Sequence, residues 1–192
     1  MKRIEEVYRE ILFQAMEKKN NNLTQSNTAS ALGISLSIVN LSLKPLIRMN
    51  AIRINKRSFD ITDKNKILYY WASIRNVEKD IIYKTRADKP VRKIESEMPD
   101  DAVYACYSAY KFKFKDVPAD YSEVYAYSNN LKEIEKRFPK NDKAQNLFVL
   151  KKDDNMKEIT MAQIFVDLWN MKEWYAKEFL KGMEERINVL LE

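Results

Sequence analysis

The sequence predicts an α+β protein with a helical C-terminus, and three observations predict this fold class. Three short helical patterns and a hairpin pattern occupy residues 1–62. Strand and helix patterns alternate from Ile81, and a strong helical periodicity begins near Thr160. The predicted organisation is therefore a first domain over residues 1–62, a connector helix over 63–78 and a second domain over 79–192.

The first two helices are predicted from their periodicity and their caps. Apolar residues between positions 4 and 16 recur at the i, i+3, i+4 spacing of an amphipathic helix. Thr24 can cap a second, shorter helix that directs Ala29 and Leu32 inward. Gly33 then permits a sharp turn, because glycine adopts positive φ angles without steric cost.

The third helix is predicted to begin after Ser35, which can act as its N-cap. Its two faces differ in character. The core stripe comprises Val39, Leu43 and Leu46, and the outward face comprises Leu36, Ser37, Asn40, Leu41 and Lys44. Pro45 lies inside this segment and is expected to kink or shorten the helix.

A hairpin follows the third helix. Two short strands are predicted over residues 51–54 and 58–61, and the basic tip between them comprises Asn55, Lys56 and Arg57. Asp63 can cap the connector helix, whose apolar face includes Ile67 and Trp71. The first domain therefore consists of three helices and a hairpin.

The second domain alternates between strands and helices. Strands are predicted over residues 81–83, 103–107, 124–127 and 147–150. Pro90 suits the start of one helix, and a second helix should stop before Pro139. Thr160 and Gln163 form a capping-box pair ahead of the C-terminal helical region, which is predicted in one or two segments.

Composition excludes several kinds of active site. The chain has no histidine, one cysteine and two glycines. A Ser-His-Asp triad, a zinc site made only of His and Cys, and an intrachain disulfide therefore cannot form. Gly33 and Gly182 are too distant in sequence to belong to one Walker loop or Rossmann fingerprint. We predict no cofactor.

The net charge of +6 is unevenly distributed. Residues 1–62 hold 10 Lys+Arg and 5 Asp+Glu, whereas residues 63–192 hold 24 and 23. The cationic excess thus lies in the first domain, as expected for a nucleic-acid-binding module. Residues 1–14 lack the apolar core of a signal peptide, and no apolar run approaches about 18 residues. We expect a cytoplasmic protein that does not enter membranes.

Residues 23–46 have the pattern of a helix-turn-helix. Ala29 is small enough for two helices to approach closely, Gly33 permits the turn, and Ile34 can fill the space between the helices. With the hairpin, this pattern predicts a winged helix that binds duplex DNA, with the third helix at base edges and the hairpin along phosphates. The predicted DNA-contacting residues are Ser35, Leu36, Ser37, Asn40, Leu41, Lys44, Arg53, Lys56 and Arg57.

The outward residues of the third helix leave a second interpretation open. Asn40 is the best candidate for base recognition, because its amide can form two hydrogen bonds with adenine. Leu36 and Leu41 occupy positions where arginine or another polar residue is more usual. These leucines can contact thymine methyl groups or face a protein. The alternative function is therefore a protein-interaction module without DNA binding.

Three motifs of the second domain, in their order, resemble the AbiEi-like family. They are Tyr107-Ser108-Ala109-Tyr110, residues 120–125 and residues 161–169. With the winged helix, the resemblance covers nearly the whole chain. It implies an antitoxin of a type IV toxin-antitoxin pair or a related transcriptional regulator, whose C-terminal domain is likened to a degenerate nucleotidyltransferase fold. The implied partners are duplex DNA and a cognate toxin, and we expect a homodimer that binds paired half-sites.

The same resemblance raises a third interpretation, a divergent nucleotidyltransferase. Enzymes of that fold use a Gly-Ser turn to hold the triphosphate and an Asp-x-Asp strand to bind a divalent metal. Here Tyr107-Ser108 replaces Gly-Ser, and neither Asp120 nor Glu123 has a carboxylate two residues later. We therefore predict no catalytic residue and no metal site.

The remaining acidic residues and the tyrosines are predicted to have structural roles. Asp153 and Asp154 follow two lysines, as in a surface turn. Asp167 lies among apolar residues, which favours a buried aspartate that is paired with a lysine or a tyrosine. The tyrosines between positions 104 and 127 are expected to form strand faces and the interdomain seam.

Overall fold

The computed structural model describes residues 1–141 and 143–191, the last three by backbone alone, and has an α+β fold. Asp142 and Glu192, which the predicted second domain includes, lie outside the described residues. The helices are α1 (Arg3–Met16), α2 (Gln25–Leu32), α3 (Leu36–Arg48), α4 (Lys64–Ile74), α5 (Val91–Ser96), α6 (Cys106–Phe114), α7 (Leu131–Arg137), α8 (Met161–Trp169) and α9 (Ala176–Leu191). The strands are β1 (Asn22–Leu23), β2 (Ile52–Ile54), β3 (Phe59–Ile61), β4 (Ile81–Thr85), β5 (Val103–Ala105), β6 (Val124–Ser128) and β7 (Leu147–Lys151).

The chain forms two compact units. The first comprises Met1–Arg75, Thr160–Val166 and the residues from Glu184 onward, and the second comprises Asn76–Ile159 and Asp167–Met183. This grouping assigns α4, the predicted connector, to the first unit. The buried Trp71 of α4 accordingly donates its indole N–H to the Glu5 carboxylate of α1 at 3.2 Å. None of the helices formed by the described residues is long and apolar enough to cross a membrane.

The helices of the first unit begin and turn where their caps predict. The Thr24 hydroxyl accepts the N–H of Asn27 at 3.1 Å, and the Ser35 hydroxyl accepts the N–H of Ile38 at 3.4 Å. Gly33 has a φ of 61° between the two helices, which explains why glycine occupies this turn. The predicted stripe of α3, formed by Val39, Leu43 and Leu46, is fully buried.

Pro45 was expected to kink or to shorten α3, and of these two alternatives the shortening is wrong, because the helix continues to Arg48. Proline removes only its own N–H bond to the carbonyl of Leu41. Leu41 lies on the exposed side of α3, where water can bind that oxygen. Beyond the proline, the N–H of Met49 donates to the Pro45 carbonyl at 3.1 Å and completes the last turn.

The hairpin of the first unit belongs to a three-stranded sheet. Its two predicted strands appear as β2 and β3, and β1 adds a third strand in the order β1-β3-β2, with both pairings antiparallel. Strand β1 was not predicted, since two residues show no alternating pattern. Leu23 of β1 is buried opposite the buried Phe59 of β3.

The second unit is built on a four-stranded sheet in the order β4-β7-β6-β5. Strands β6 and β7 are parallel, and the two outer pairings are antiparallel. Helices α5 and α7 contribute Ile94 and Ile134 to a core that also contains Val124 and Val149 of the sheet. The strands predicted near residues 81, 124 and 147 are confirmed, each with one or two additional residues.

The predicted strand over residues 103–107 is partly wrong. Strand β5 ends at Ala105, because Cys106 has a φ of 49°, which turns the chain out of the extended conformation and into α6. Tyr107 and Ser108 are therefore helical and fully buried.

Candidate nucleic-acid interface

The outward face of α3 contains the predicted polar and apolar residues. All of the predicted residues on this helix and its cap are exposed: Ser35, Leu36, Ser37, Asn40, Leu41 and Lys44. Ser35 also has the structural role of helix cap, and its hydroxyl lies 2.9 Å from that of Ser37. The amphipathic character predicted for this helix is confirmed.

Asn40 has a neighbour that the sequence pattern did not identify. Its Nδ2 donates to the Oε1 atom of Gln25, the first residue of α2, at 3.4 Å. The hydrogen bond is long and both side chains reach solvent, so it leaves hydrogen-bonding capacity on both amides. Because the two residues are fifteen positions apart, only the packing of α2 against α3 brings them together.

The turn between β2 and β3 presents two exposed cations. Lys56 and Arg57 lie at this turn, and neither forms a hydrogen bond or ion pair with any residue in the described part of the chain. Lys44 on α3 is also exposed and has no such partner among the described residues. These side chains are available to bind an anion.

Arg53, the third predicted cation of the hairpin, is already paired. Its Nη2 lies 2.9 Å from the Oδ2 atom of Asp60 on the neighbouring strand. Asp60 also accepts hydrogen bonds from the side chains of Asn55 at 3.0 Å and Asn22 at 2.6 Å. Hydrogen bonds from Asn55, Asn22 and Arg53 lower the pKa of Asp60 to about 2. A phosphate would therefore have to compete with a carboxylate for Arg53.

The sequence around these cations contains no acid. Between Glu17 and Asp60 there is no Asp or Glu, whereas seven basic residues occur: Lys18, Lys19, Lys44, Arg48, Arg53, Lys56 and Arg57. Arg48, in the last turn of α3, is exposed and was not predicted as a site residue. Its spacing of four residues from Lys44 was the available signal, because such residues lie on one side of a helix.

Apolar side chains are also exposed on α3 and β2. Leu36 and Leu41 are 53% and 56% exposed, and Ile47 and Ile54 are 42% and 44% exposed. The surface is therefore cationic with apolar patches rather than uniformly polar. This mixture is compatible with base contacts in a groove and also with a protein partner.

The acidic residues weighed for catalysis are dispersed in the second unit. Asp120 is exposed in the loop before β6, and Asp153 and Asp154 follow β7. Glu123 is half-buried and accepts the hydroxyl hydrogen bond of Ser122 at 3.0 Å. Burial and, to a lesser extent, the nearby Glu173 raise the pKa of Glu123. Within the described ranges, no group of three or more Cys, Asp or Glu could hold a metal ion.

Asp167 has the structural partner that its apolar neighbours predicted. The hydroxyl of Tyr127 donates to the Oδ2 atom of Asp167 at 2.6 Å, and both residues are fully buried. Glu173 similarly accepts the hydroxyl groups of Tyr107 at 2.8 Å and Tyr125 at 3.0 Å. Burial raises the pKa of both of these tyrosines. Three buried tyrosines of this unit thus donate to carboxylates.

A cleft of about 410 Å³ lies beside this network in the second unit. Its wall includes the rings of Tyr125 and Phe148, which stack with centroids 4.7 Å apart. Of the charged residues at the cleft, Lys172 pairs with Glu78 at 2.6 Å, and Glu173 accepts the two tyrosine hydroxyl groups. The cleft therefore presents fewer available charges than the β2–β3 turn.

The chain matches no protein-family model, no curated protein and no solved structure. Its function is therefore inferred from the chemistry of its own surfaces. The exposed face of α3 and the β2–β3 turn offer cations that have no partner among the described residues and lie in a stretch of sequence without carboxylates, and they form the candidate interface.

Proposed function

We propose that this chain is a DNA-binding transcriptional regulator whose winged helix, formed by α1–α3 and the β2–β3 hairpin, binds duplex DNA. The observation that carries the proposal is the set of exposed cations Lys44, Lys56 and Arg57, which have no partner among the described residues and lie in a stretch of sequence without carboxylates. Cations of this kind bind phosphates and displace condensed counterions, which is the main source of affinity for duplex DNA.

The two parts of the interface have different tasks under this proposal. Helix α3 enters the major groove and presents Ser37, Asn40 and Lys44 to base edges, because a groove of that width admits an α-helix. Gln25 supports or shares base recognition with Asn40, to which it is hydrogen-bonded. The β2–β3 turn lies along the backbone, where Lys56 and Arg57 bind phosphates and set the register of α3.

For the second unit, the resemblance to AbiEi-like proteins supports a degenerate nucleotidyltransferase-like domain without catalysis. Its role would be to sense a signal, to dimerise or to recruit a partner. Dimerisation would allow two copies of α3 to bind paired half-sites, and a cognate toxin would be the partner of an antitoxin. Both partners remain predictions.

Fluorescence anisotropy with the full chain tests the proposal. At roughly 50 mM salt the protein should bind a random duplex and bind its own upstream region more tightly, and both affinities should fall steeply as salt rises. Arg57→Ala should weaken both complexes and reduce the salt slope by about one. Lys136→Ala, which removes an exposed cation from α7 of the other unit, is the matched control and should leave the slope unchanged.

Absence of binding to either duplex under these conditions would contradict the proposal. Equal effects of Arg57→Ala and Lys136→Ala would show that total charge, rather than the β2–β3 turn, controls binding. Either result can be interpreted directly, because both side chains are exposed and neither variant removes a core contact.

A second candidate function is a protein-interaction module, which the exposure of Leu36 and Leu41 favours. In that case α3 would pack its leucines against an apolar groove of the partner. The two functions differ in salt dependence. An apolar interface of this kind should weaken little with rising salt, whereas the DNA complex should weaken strongly.

A further inference from the structure

We infer that Leu36 and Leu41 recognise the methyl groups of two thymines, so that thymine at these two positions defines the sites the protein prefers. The inference rests on the proposed DNA binding and deepens it. Its starting point is that both leucines are more than half exposed, at 53% and 56%, and lie outside the core stripe of α3. Packing within the folded chain therefore does not explain why these two positions are apolar.

The two leucines border the polar strip of α3 on opposite sides. With 3.6 residues per turn, Leu36 and Leu41 are about 140° apart around the helix axis. Ser37, Asn40 and Lys44 fall between them and form the strip itself. When the strip faces the floor of the major groove, one leucine lies on each side of it.

The spacing along the axis also fits neighbouring bases. Five residues of α-helix rise about 7.5 Å, which is close to two base-pair steps of 3.4 Å each. Each leucine can therefore contact a different base while Asn40 contacts a third. The expected preferred site has two thymines roughly two steps apart.

Thymine is the base that an apolar side chain can recognise in the major groove. Its C5-methyl group is apolar, whereas the other bases present hydrogen-bond donors or acceptors at their edges. A leucine placed over those polar groups would remove them from water without replacing their hydrogen bonds, which costs free energy. A leucine over a methyl group instead buries two apolar surfaces together.

The charge of the surroundings favours DNA over protein as the occupant of this face. Lys44 lies in the strip between the two leucines, and Arg48, Lys56 and Arg57 lie on the same helix or the following turn. No carboxylate occurs between Glu17 and Asp60 to attract a basic partner or to oppose phosphate. Apolar contacts surrounded by cations that no described residue pairs suit the major groove of DNA, which is a polyanion.

Deoxyuridine substitution tests the inference, because deoxyuridine lacks only the methyl group of thymine. The preferred duplex is first selected from a random library with the full chain, and each thymine is then replaced in turn. Two replacements should each reduce affinity about fourfold, the effect of one buried methyl group. Leu36→Ala should abolish the effect at one position and Leu41→Ala the effect at the other.

Ile82→Ala is the matched control, since Ile82 is an apolar residue, 39% exposed, on β4 of the second unit. It should retain both deoxyuridine effects, and circular dichroism should show all three variants folded. Specific binding without any deoxyuridine effect would overturn the inference and leave the proposed function intact, whereas no binding to any duplex would overturn both. Deoxyuridine effects that persist in both leucine variants would also overturn the inference. Loss of a protein complex in the same variants would overturn it as well and would assign the leucines to a protein partner.

Discussion

Selected polar side chains of the two units differ in their exposure and in their hydrogen-bond partners. In the first unit, Lys44, Lys56 and Arg57 point to solvent without a partner among the described residues. In the second unit, the buried Glu95 accepts hydrogen bonds from the side chains of Tyr121 and Lys111, each at 2.5 Å. The contrast indicates that this buried carboxylate stabilises the fold of the second unit, whereas these three cations of the first unit are available to a ligand.

The comparison also explains why conspicuous residues are not the best functional candidates. Seven of the eleven tyrosines and several carboxylates draw attention to the second half of the sequence. Tyr107, Tyr125 and Tyr127 are buried and donate to carboxylates, so their hydroxyl groups already have partners. Lys44, Lys56 and Arg57 of the first unit have no partner among the described residues and retain the capacity to bind.

The largest expected effect is loss of stability on removing Tyr107. Its ring is fully buried against Tyr175 and Phe179, with centroids 5.0 and 4.9 Å away, and its hydroxyl donates to Glu173. Tyr107→Ala should lower the free energy of unfolding by about 3–5 kcal/mol, the usual cost of removing a buried aromatic ring. Urea unfolding of the full chain measures the change.

Tyr107→Phe separates the ring from the hydroxyl in this experiment. It should cost about 1–3 kcal/mol, because the ring contacts remain and Glu173 loses one donor. A change below about 0.5 kcal/mol for Tyr107→Ala would show that the tyrosine-carboxylate network does not stabilise this unit.

The second effect in size concerns base recognition by α3. Asn40→Ala should weaken binding to the preferred duplex by about 1–3 kcal/mol and leave binding to random DNA almost unchanged. Gln25→Ala should show a smaller loss with the same specificity, because Gln25 accepts a hydrogen bond from Asn40 that would orient the Asn40 amide. Competition with random duplex in an anisotropy assay measures both. Equal losses on the two duplexes would place Asn40 at a phosphate instead.

The third effect in size tests whether Asp60 weakens DNA binding by holding Arg53 in an ion pair. Asp60→Asn removes a negative charge and releases Arg53 from its 2.9 Å ion pair. Affinity for any duplex should rise roughly threefold, as expected for an exposed ion pair, and the salt slope should increase by about one. Asp63→Asn is an unsuitable control because Asp63 caps α4, so Asp100→Asn in the other unit serves instead. An unchanged or lower affinity would show that Arg53 does not reach DNA.

The low pKa of Asp60 also predicts a pH dependence in the sheet. A carboxyl whose pKa is lowered to about 2 contributes stability above its unfolded value, and that contribution is lost as pH falls toward 2. Amide resonances of Asn22, Arg53 and Asn55 in the folded protein should therefore shift in a window centred on about pH 2. In Asp60→Asn, the shifts in this window should be absent.

The features of the candidate interface that the sequence predicts are those that depend on residues close to one another in the chain. Thr24 and Ser35 signal caps through their positions, and 3.6-residue periodicity separates Asn40 and Lys44 from the buried Val39 and Leu43. Their exposure and burial are confirmed. Secondary structure at this level depends on neighbouring residues, which a single sequence displays.

What could not be predicted depends on residues distant in sequence. The pairing of β1 with β3 places Asn22 beside Asp60, and α2 packing places Gln25 beside Asn40. The strand predicted through Tyr107 failed for a different reason. The alternating apolar pattern continued, but a positive φ at Cys106 ended β5, and such a φ is unusual for a residue other than glycine.

The smallest expected effect concerns Glu123, the half-buried carboxyl of the second unit. Burial raises its pKa, so its contribution to stability is greatest below the unfolded value and decreases as pH rises through the folded value. Glu123→Gln keeps the acceptor for Ser122 without the charge and should stabilise the protein at pH 7 by less than about 1 kcal/mol. The same substitution distinguishes structure from catalysis. With Mg²⁺ and labelled nucleoside triphosphates, neither the native chain nor Glu123→Gln should transfer a nucleotide. Glu158→Gln, at an exposed site, is the control and should change neither stability nor activity. Nucleotide transfer by the native chain that disappears in Glu123→Gln would instead assign this carboxyl to an active site and reverse the contrast between the two units.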